Sequence, residues 1–225
     1  NCFAQIDAAF RCLSRRIAWF CPAFAIDVLP AGLQSALMKS MPFLISSLLL
    51  PSILLAHPGH STGFGAGFAH PPAGLDHICA MLAVGLWAAQ LGGRALWILP
   101  LTFMLSMAGG GLLANAGVQL PLVESGIAAS LCILGLLVAF AARLPIALGA
   151  LVAAVFAVFH GFAHGAEMPA EASSILYALG FVLSTGLLHA AGIGTGELLN
   201  RAAASGLVRA GGVAIAIAGL SALAG

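Results

Sequence analysis

Charge is scarce in this chain. Its 225 residues include eight Lys or Arg and seven Asp or Glu, 7% charged in all, where a soluble domain carries about 25%. Together with 61% hydrophobic residues, this excludes a soluble globular protein and points to an integral membrane protein. No basic patch and no aromatic-interleaved basic stretch is present, which excludes nucleic acid as a partner; a long acidic tail is also missing. The five cysteines, Cys2, Cys12, Cys21, Cys79 and Cys132, form no C-x-x-C pair, and Cys79 and Cys132 read as ordinary small buried residues. There is no G-x-x-x-x-G-K-[ST] loop, so any pumping energy must come from gradients or another subunit, and no H-E-x-x-H element of a zinc hydrolase. No repeat of 20 to 50 residues is visible.

What is present is long and apolar, and rich in small residues. Six stretches, about 63–91, 95–115, 121–142, 145–166, 173–195 and 206–224, are long enough to cross roughly 30 Å of hydrocarbon. Pro71-Pro72 breaks or kinks the first. The 28 glycines and frequent alanines suit close helix packing in lipid. The expected fold is therefore all-α, a polytopic six-transmembrane-helix bundle at 57–225.

Ahead of that bundle, Met38-Lys39-Ser40-Met41, a short apolar core from Pro42 to Leu55 and a final Ala56 form a secretory signal pattern at 38–56. Residues 1–37, with scattered Asp7, Arg11, Arg15, Arg16 and Asp27, read as an extension that is not translated or not retained. Cleavage after Ala56 leaves His57 as the mature amino terminus, with His60 three residues on. The alternative is that residues 1–56 stay attached as an amphipathic segment plus an anchor.

Every Arg after the signal, Arg94, Arg143, Arg201 and Arg209, falls in alternate connections. By the positive-inside rule those connections are cytoplasmic, and both mature termini are periplasmic in a bacterial inner membrane.

Two runs of metal-liking residues interrupt these apolar spans: His70-Pro71-Pro72-Ala73-Gly74-Leu75-Asp76-His77 and His160-Gly161-Phe162-Ala163-His164-Gly165-Ala166-Glu167. An ionisable side chain in mid-membrane costs roughly 2.5 to 3.5 kcal/mol on insertion scales, so two clusters demand compensation by a metal, a proton path or each other. On a helix His160, His164 and Glu167 share one face, and orientation places both runs toward the outer side, where they can converge. Imidazole and carboxylate suit nickel, cobalt, zinc and copper alike. Asp76 either binds the ion or orients His77. His189, roughly 20 Å below the outer end of its span, reads as a deeper station on a path inward or as a hydrogen-bonding core residue. Glu124 and Glu197 lie near interfaces, where solvation accounts for them, and Met81 and Met107 read as packing. Gly74, Gly161 and Gly165 either allow close helix approach or leave room for an ion.

These runs, with Met81 and Gly85 after the first, Met168-Pro169 after the second, and Leu188-His189-Ala190-Ala191-Gly192, resemble the HupE/UreJ family of bacterial membrane proteins. The similarity extends over essentially all of 57–225 and includes a leading signal peptide. It implies a secondary permease for divalent nickel, possibly cobalt, supplying hydrogenase or urease maturation. On this reading the metal ion is cargo, nothing is permanently bound, and the protein is not an enzyme. The His-x5-Asp-His run is also similar to the His-x4-Asp-His element of the larger nickel/cobalt transporter family, with one residue more. The expected ion ligands are His57, His60, His70, Asp76, His77, His160, His164, Glu167 and His189. Other readings are an intramembrane zinc-dependent hydrolase, a haem-binding electron carrier, and a membrane metal-binding accessory protein that does not transport.

Overall fold

The computed structural model describes residues 63–168 and 174–225, and among them all regular structure is helical. The proposed extension, the signal peptide, His57 and His60 lie outside the described residues. Helix α1 (Phe64–Ala69) leads through a short 3-10 turn (Pro71–Ala73) into α2 (Leu75–Leu91). Then follow α3 (Ala95–Asn115), α4 (Val123–Ala139), α5 (Ile146–Glu167), α6 (Ser174–Arg201) and α7 (Ser205–Ala224).

The expected break at Pro71-Pro72 is present and severe. Proline offers no backbone N–H and its ring clashes with the preceding turn, so 63–91 cannot run as one helix. Instead α1 and α2 meet at 83°. Gly74 caps α2 with extended backbone, and Gly92 ends it at φ 69, a left-handed value that favours glycine.

Helices α3, α5, α6 and α7 are long and apolar enough to cross a membrane, and the bent α1–α2 pair makes a fifth crossing if taken as one span. The stretch expected to cross at 121–142 yields a shorter helix. Its 17 residues reach about 25 Å, bounded by left-handed turns at Leu122 (φ 59) and Ala141 (φ 48). Conversely, α6 continues past the expected end at 195 to Arg201, so Glu197 lies on a helix. The protein is a multi-pass membrane protein.

Glycines set how the helices meet. Gly161 of α5 rests on the backbone of Met107 in α3, and Gly165 on that of Gly111, so residue numbers rise together and the two helices are parallel. Helices α2 and α6 are also parallel, with Gly85 against His189 and Gly196 against Ala89. Helices α4 and α7 run antiparallel, Gly212 meeting Ala139 and Gly219 meeting Ala128. Removing the Cβ at each contact lets backbones touch, and dispersion rather than hydrophobic burial then holds helices together in lipid.

Trp87, Phe103, Leu99, Met81, Met107 and Leu134 fill the fully buried centre. Many large apolar residues point outward instead, among them Leu105, Leu112, Leu151 and Leu220, an apolar belt far too extensive for a surface in water. At one end, carbonyls at and just beyond the end of α4 receive hydrogen bonds from three side chains of other helices. Trp87 Nε1 donates to Ala142 O at 2.9 Å, Gln90 Nε2 to Val138 O at 2.9 Å, and Arg209 Nε to Ala139 O at 2.7 Å. The ends of α2 and α4 and the start of α7 are thereby tied together.

Candidate metal site

Both polar runs end on the same cluster. The bend at Pro71-Pro72 stops His70 from following the axis of α2 and sets it beside α5. There its ring centroid is 4.7 Å from that of His164 and its Nε2 lies 3.1 Å from Glu167 Oε2. One ligand atom each from His70, His164 and Glu167 lies within 4.8 Å of the others. One helical turn further in, the ring of His77 of α2 lies tilted at 4.0 Å from that of His164 and edge to face at 4.9 Å from that of His160, centroid to centroid. The single helical face expected for His160, His164 and Glu167 is thus the face that α2 and its leading turn cover.

Two overlapping donor sets result, sharing His164. The outer set, His70, His164 and Glu167, opens to the surface: the side chains of Glu167 and His70 are 60% and 29% exposed. The inner set, His77, His160 and His164, is buried, with exposures of 8%, 0% and 4%. Asp76, at 40%, stands at the margin and accepts a hydrogen bond from His77 Nδ1 at 2.8 Å. The Asp76 carboxylate is thus engaged with His77, in the carboxylate–imidazole arrangement that fixes a ligand's tautomer in many metal sites.

Much of the inner set's hydrogen-bonding capacity is unused. His77 Nε2, His160 Nδ1 and both nitrogens of His164 are buried without a partner. A buried polar atom left unpaired costs about 1–3 kcal/mol, and here four lie on three neighbouring rings. A cation is a partner that suits this arrangement chemically: each neutral imidazole presents one lone pair beside its one N–H, and the two nearby carboxylates offset the charge of a divalent ion.

His189 stands apart from this set, fifteen residues along α6 from Ser174. Its ring centroid lies 5.2 Å from that of Phe103, which in turn lies 5.9 Å from that of His160. One buried phenyl ring is thus all that intervenes in contact terms between the inner imidazoles and His189. Both His189 nitrogens and the hydroxyl of Thr185, one turn earlier on α6, are also buried and unpartnered.

Glu124 is exposed at the start of α4 and Glu197 is partly exposed on α6, in keeping with solvated interface residues. Met81 and Met107 are fully buried among apolar neighbours and pack the core. Of the glycines beside the histidines, Gly161 and Gly165 serve close helix approach. Gly74 serves the site itself, since a Cβ there would lie 2.6 Å from Asp76 Oδ1 and 2.7 Å from His77 Nδ1.

Four contributors escape a reading of motifs: Ser130, whose Oγ is 2.8 Å from His160 Nε2, and the rings of Phe103, Tyr177 and Phe181 that wall the imidazoles. Each comes from a helix other than those bearing the two runs, and an isolated serine or phenylalanine in an apolar stretch carries no spacing signal.

The comparisons with known proteins cover this whole region. A family profile described as HupE / UreJ protein matches residues 45–222. Protein HupE of Rhizobium leguminosarum bv. viciae is 46% identical over 182 residues, covering 80% of this chain and 95% of that protein. No solved structure matches.

Proposed function

The chain belongs to the HupE/UreJ family, and on that premise we propose that it is a secondary permease for divalent nickel, with cobalt as an alternative cargo. The ion would be captured from the periplasm by His70 and Glu167 and handed through His164 to His77 and His160. It would leave inward past Phe103 and His189. The meeting of buried imidazole rings from α2 and α5, each with an unpartnered nitrogen, carries this reading. Exposure falls from Glu167 to His160, so an ion exchanges water for protein ligands stepwise and no single step strips its hydration. A potential negative inside favours passage of a dication by roughly 4.6 kcal/mol per 100 mV. The family link to hydrogenase and urease systems supplies the use of the metal.

Six crossings in a bacterial inner membrane, behind a cleaved signal ending at Ala56, complete the proposal. Parallel α2/α6 and α3/α5 with antiparallel α4/α7 support a chain that reverses at every connection. In that frame Arg94, Arg143, Arg201 and Arg209 lie at the cytoplasmic end, beside the hydrogen-bonded end of α4. The mature amino terminus, with His57 and His60, would then face the periplasm as a first point of contact for the ion.

The test is nickel accumulation in cells that depend on this protein for uptake. His77→Ala and His164→Ala should each reduce it to the background of cells lacking the protein, at equal membrane abundance. Unchanged accumulation in both variants would refute the site.

A further inference from the structure

Ser130 sits on α4, fully buried, and its hydroxyl has two neighbours: Ile127 O at 2.6 Å and His160 Nε2 at 2.8 Å. A serine hydroxyl has one proton to give. The carbonyl oxygen of Ile127 can only accept, and two oxygens at 2.6 Å are held together only with a proton between them. The hydroxyl proton is therefore committed to Ile127, and Ser130 Oγ must accept from His160, whose Nε2 then carries the ring proton. A neutral imidazole has one N–H, so Nδ1 is left with the lone pair. That Nδ1 is one of the buried atoms with no partner.

We infer that Ser130 is a positioning residue that holds His160 in the Nε2–H form and so presents Nδ1 as its ion-binding atom. The inference rests on the reading of the histidine cluster as an ion site. It also brings α4 into that site, since Ser130 reaches His160 from a helix that bears neither polar run. Across from it Asp76 does the converse for His77, accepting a hydrogen bond from Nδ1–H and leaving the Nε2 lone pair free. The two imidazoles, edge to face with centroids 4.9 Å apart, thus use opposite nitrogens. An i−3 carbonyl and a carboxylate are the two anchors that make this asymmetry obligatory.

The test uses full-length protein in lipid nanodiscs with 15N-labelled histidine. Nitrogen resonances of the metal-free wild type report each ring's tautomer, the His160 signals being those absent from His160→Gln. They should show Nε2–H. In Ser130→Ala the His160 signals should shift toward a mixture of tautomers, and half-saturation by Ni²⁺ should rise roughly 10- to 100-fold, as for loss of other ligand-orienting partners. Ser130→Thr, which keeps the hydroxyl, should restore both. An Nδ1–H signal in the wild type would overturn the inference, as would a Ser130→Ala protein with unaltered His160 signals and Ni²⁺ affinity. If Ser130→Ala fails to fold, the wild-type tautomer and the Ser130→Thr protein still decide. A wild type that shows the Nε2–H signal yet binds no Ni²⁺ would refute the ion site while leaving the tautomer assignment standing.

Discussion

Four imidazoles whose centroids lie within 5 Å of their neighbours are an unfavourable way to fill the inside of a membrane protein unless something else completes them. Their partners sort them by role. His70 spends its Nε2 on Glu167 at the exposed margin, His77 and His160 each spend one nitrogen on a protein group and keep the other, and His164 keeps both. His164 belongs to both donor sets, so it is the residue through which an ion would pass between them. A separation of effects follows. Concentration dependence of nickel uptake should show that His70→Ala raises half-saturation while sparing the maximal rate, whereas His164→Ala abolishes the rate itself. Equal effects on both parameters in the two variants would contradict the division into outer and inner sets. For Asp76→Asn, which can still accept from His77 but without charge, titration with Co²⁺ followed by visible absorbance should show affinity reduced by about 10- to 100-fold.

At the scale of elements, glycine placement does two different jobs. Gly161 lets α5 meet α3 backbone to backbone at Met107, and a leucine there must push the helices apart. Gly161→Leu should lower stability toward denaturant in detergent by about 1–3 kcal/mol, the usual cost of overpacking. Gly74 packs against no other helix and instead leaves room for the Asp76–His77 hydrogen bond. Gly74→Ala should therefore leave stability within about 0.5 kcal/mol, as at sites remote from the core, yet weaken metal binding as Asp76→Asn does. A Gly74→Ala protein that binds like wild type would show that Asp76 does not orient His77.

This contrast also marks what the sequence could reveal. Helical spacing put His160, His164 and Glu167 on one face, and Pro71-Pro72 foretold the break. Limits of α3 agree to the residue, because charge and turn residues bound it on both sides. Which face meets which is a matter of long-range packing. Ser130, Phe103 and the short reach of α4 depend on contacts between helices that no periodicity encodes. Depth along its own helix likewise says nothing about the Phe103 ring that His189 shares with His160.

The described helices carry His160, His189 and Phe103 among the fully buried residues of their centre and many leucines on their outer surface. The molecule's polar gradient has a direction, from the half-exposed carboxylates at one end to His189 within, and the arginine-bearing connections sit at the other end in the proposed topology. Reporter fusions after Arg94, Arg143 and Arg201 should all read cytoplasmic, and a periplasmic reading at any of them would reverse the proposed direction of transport. Ion movement itself is tested most directly by flux into proteoliposomes containing only this purified protein, comparing nickel, cobalt, zinc and copper, with and without a proton gradient. A permease built on this site should carry Ni²⁺, or Co²⁺, into protein-containing vesicles well above protein-free ones, with His164→Ala vesicles indistinguishable from empty lipid. Stoichiometric Ni²⁺ binding by the wild type with no flux under any gradient would contradict transport and leave a metal-binding protein in its place.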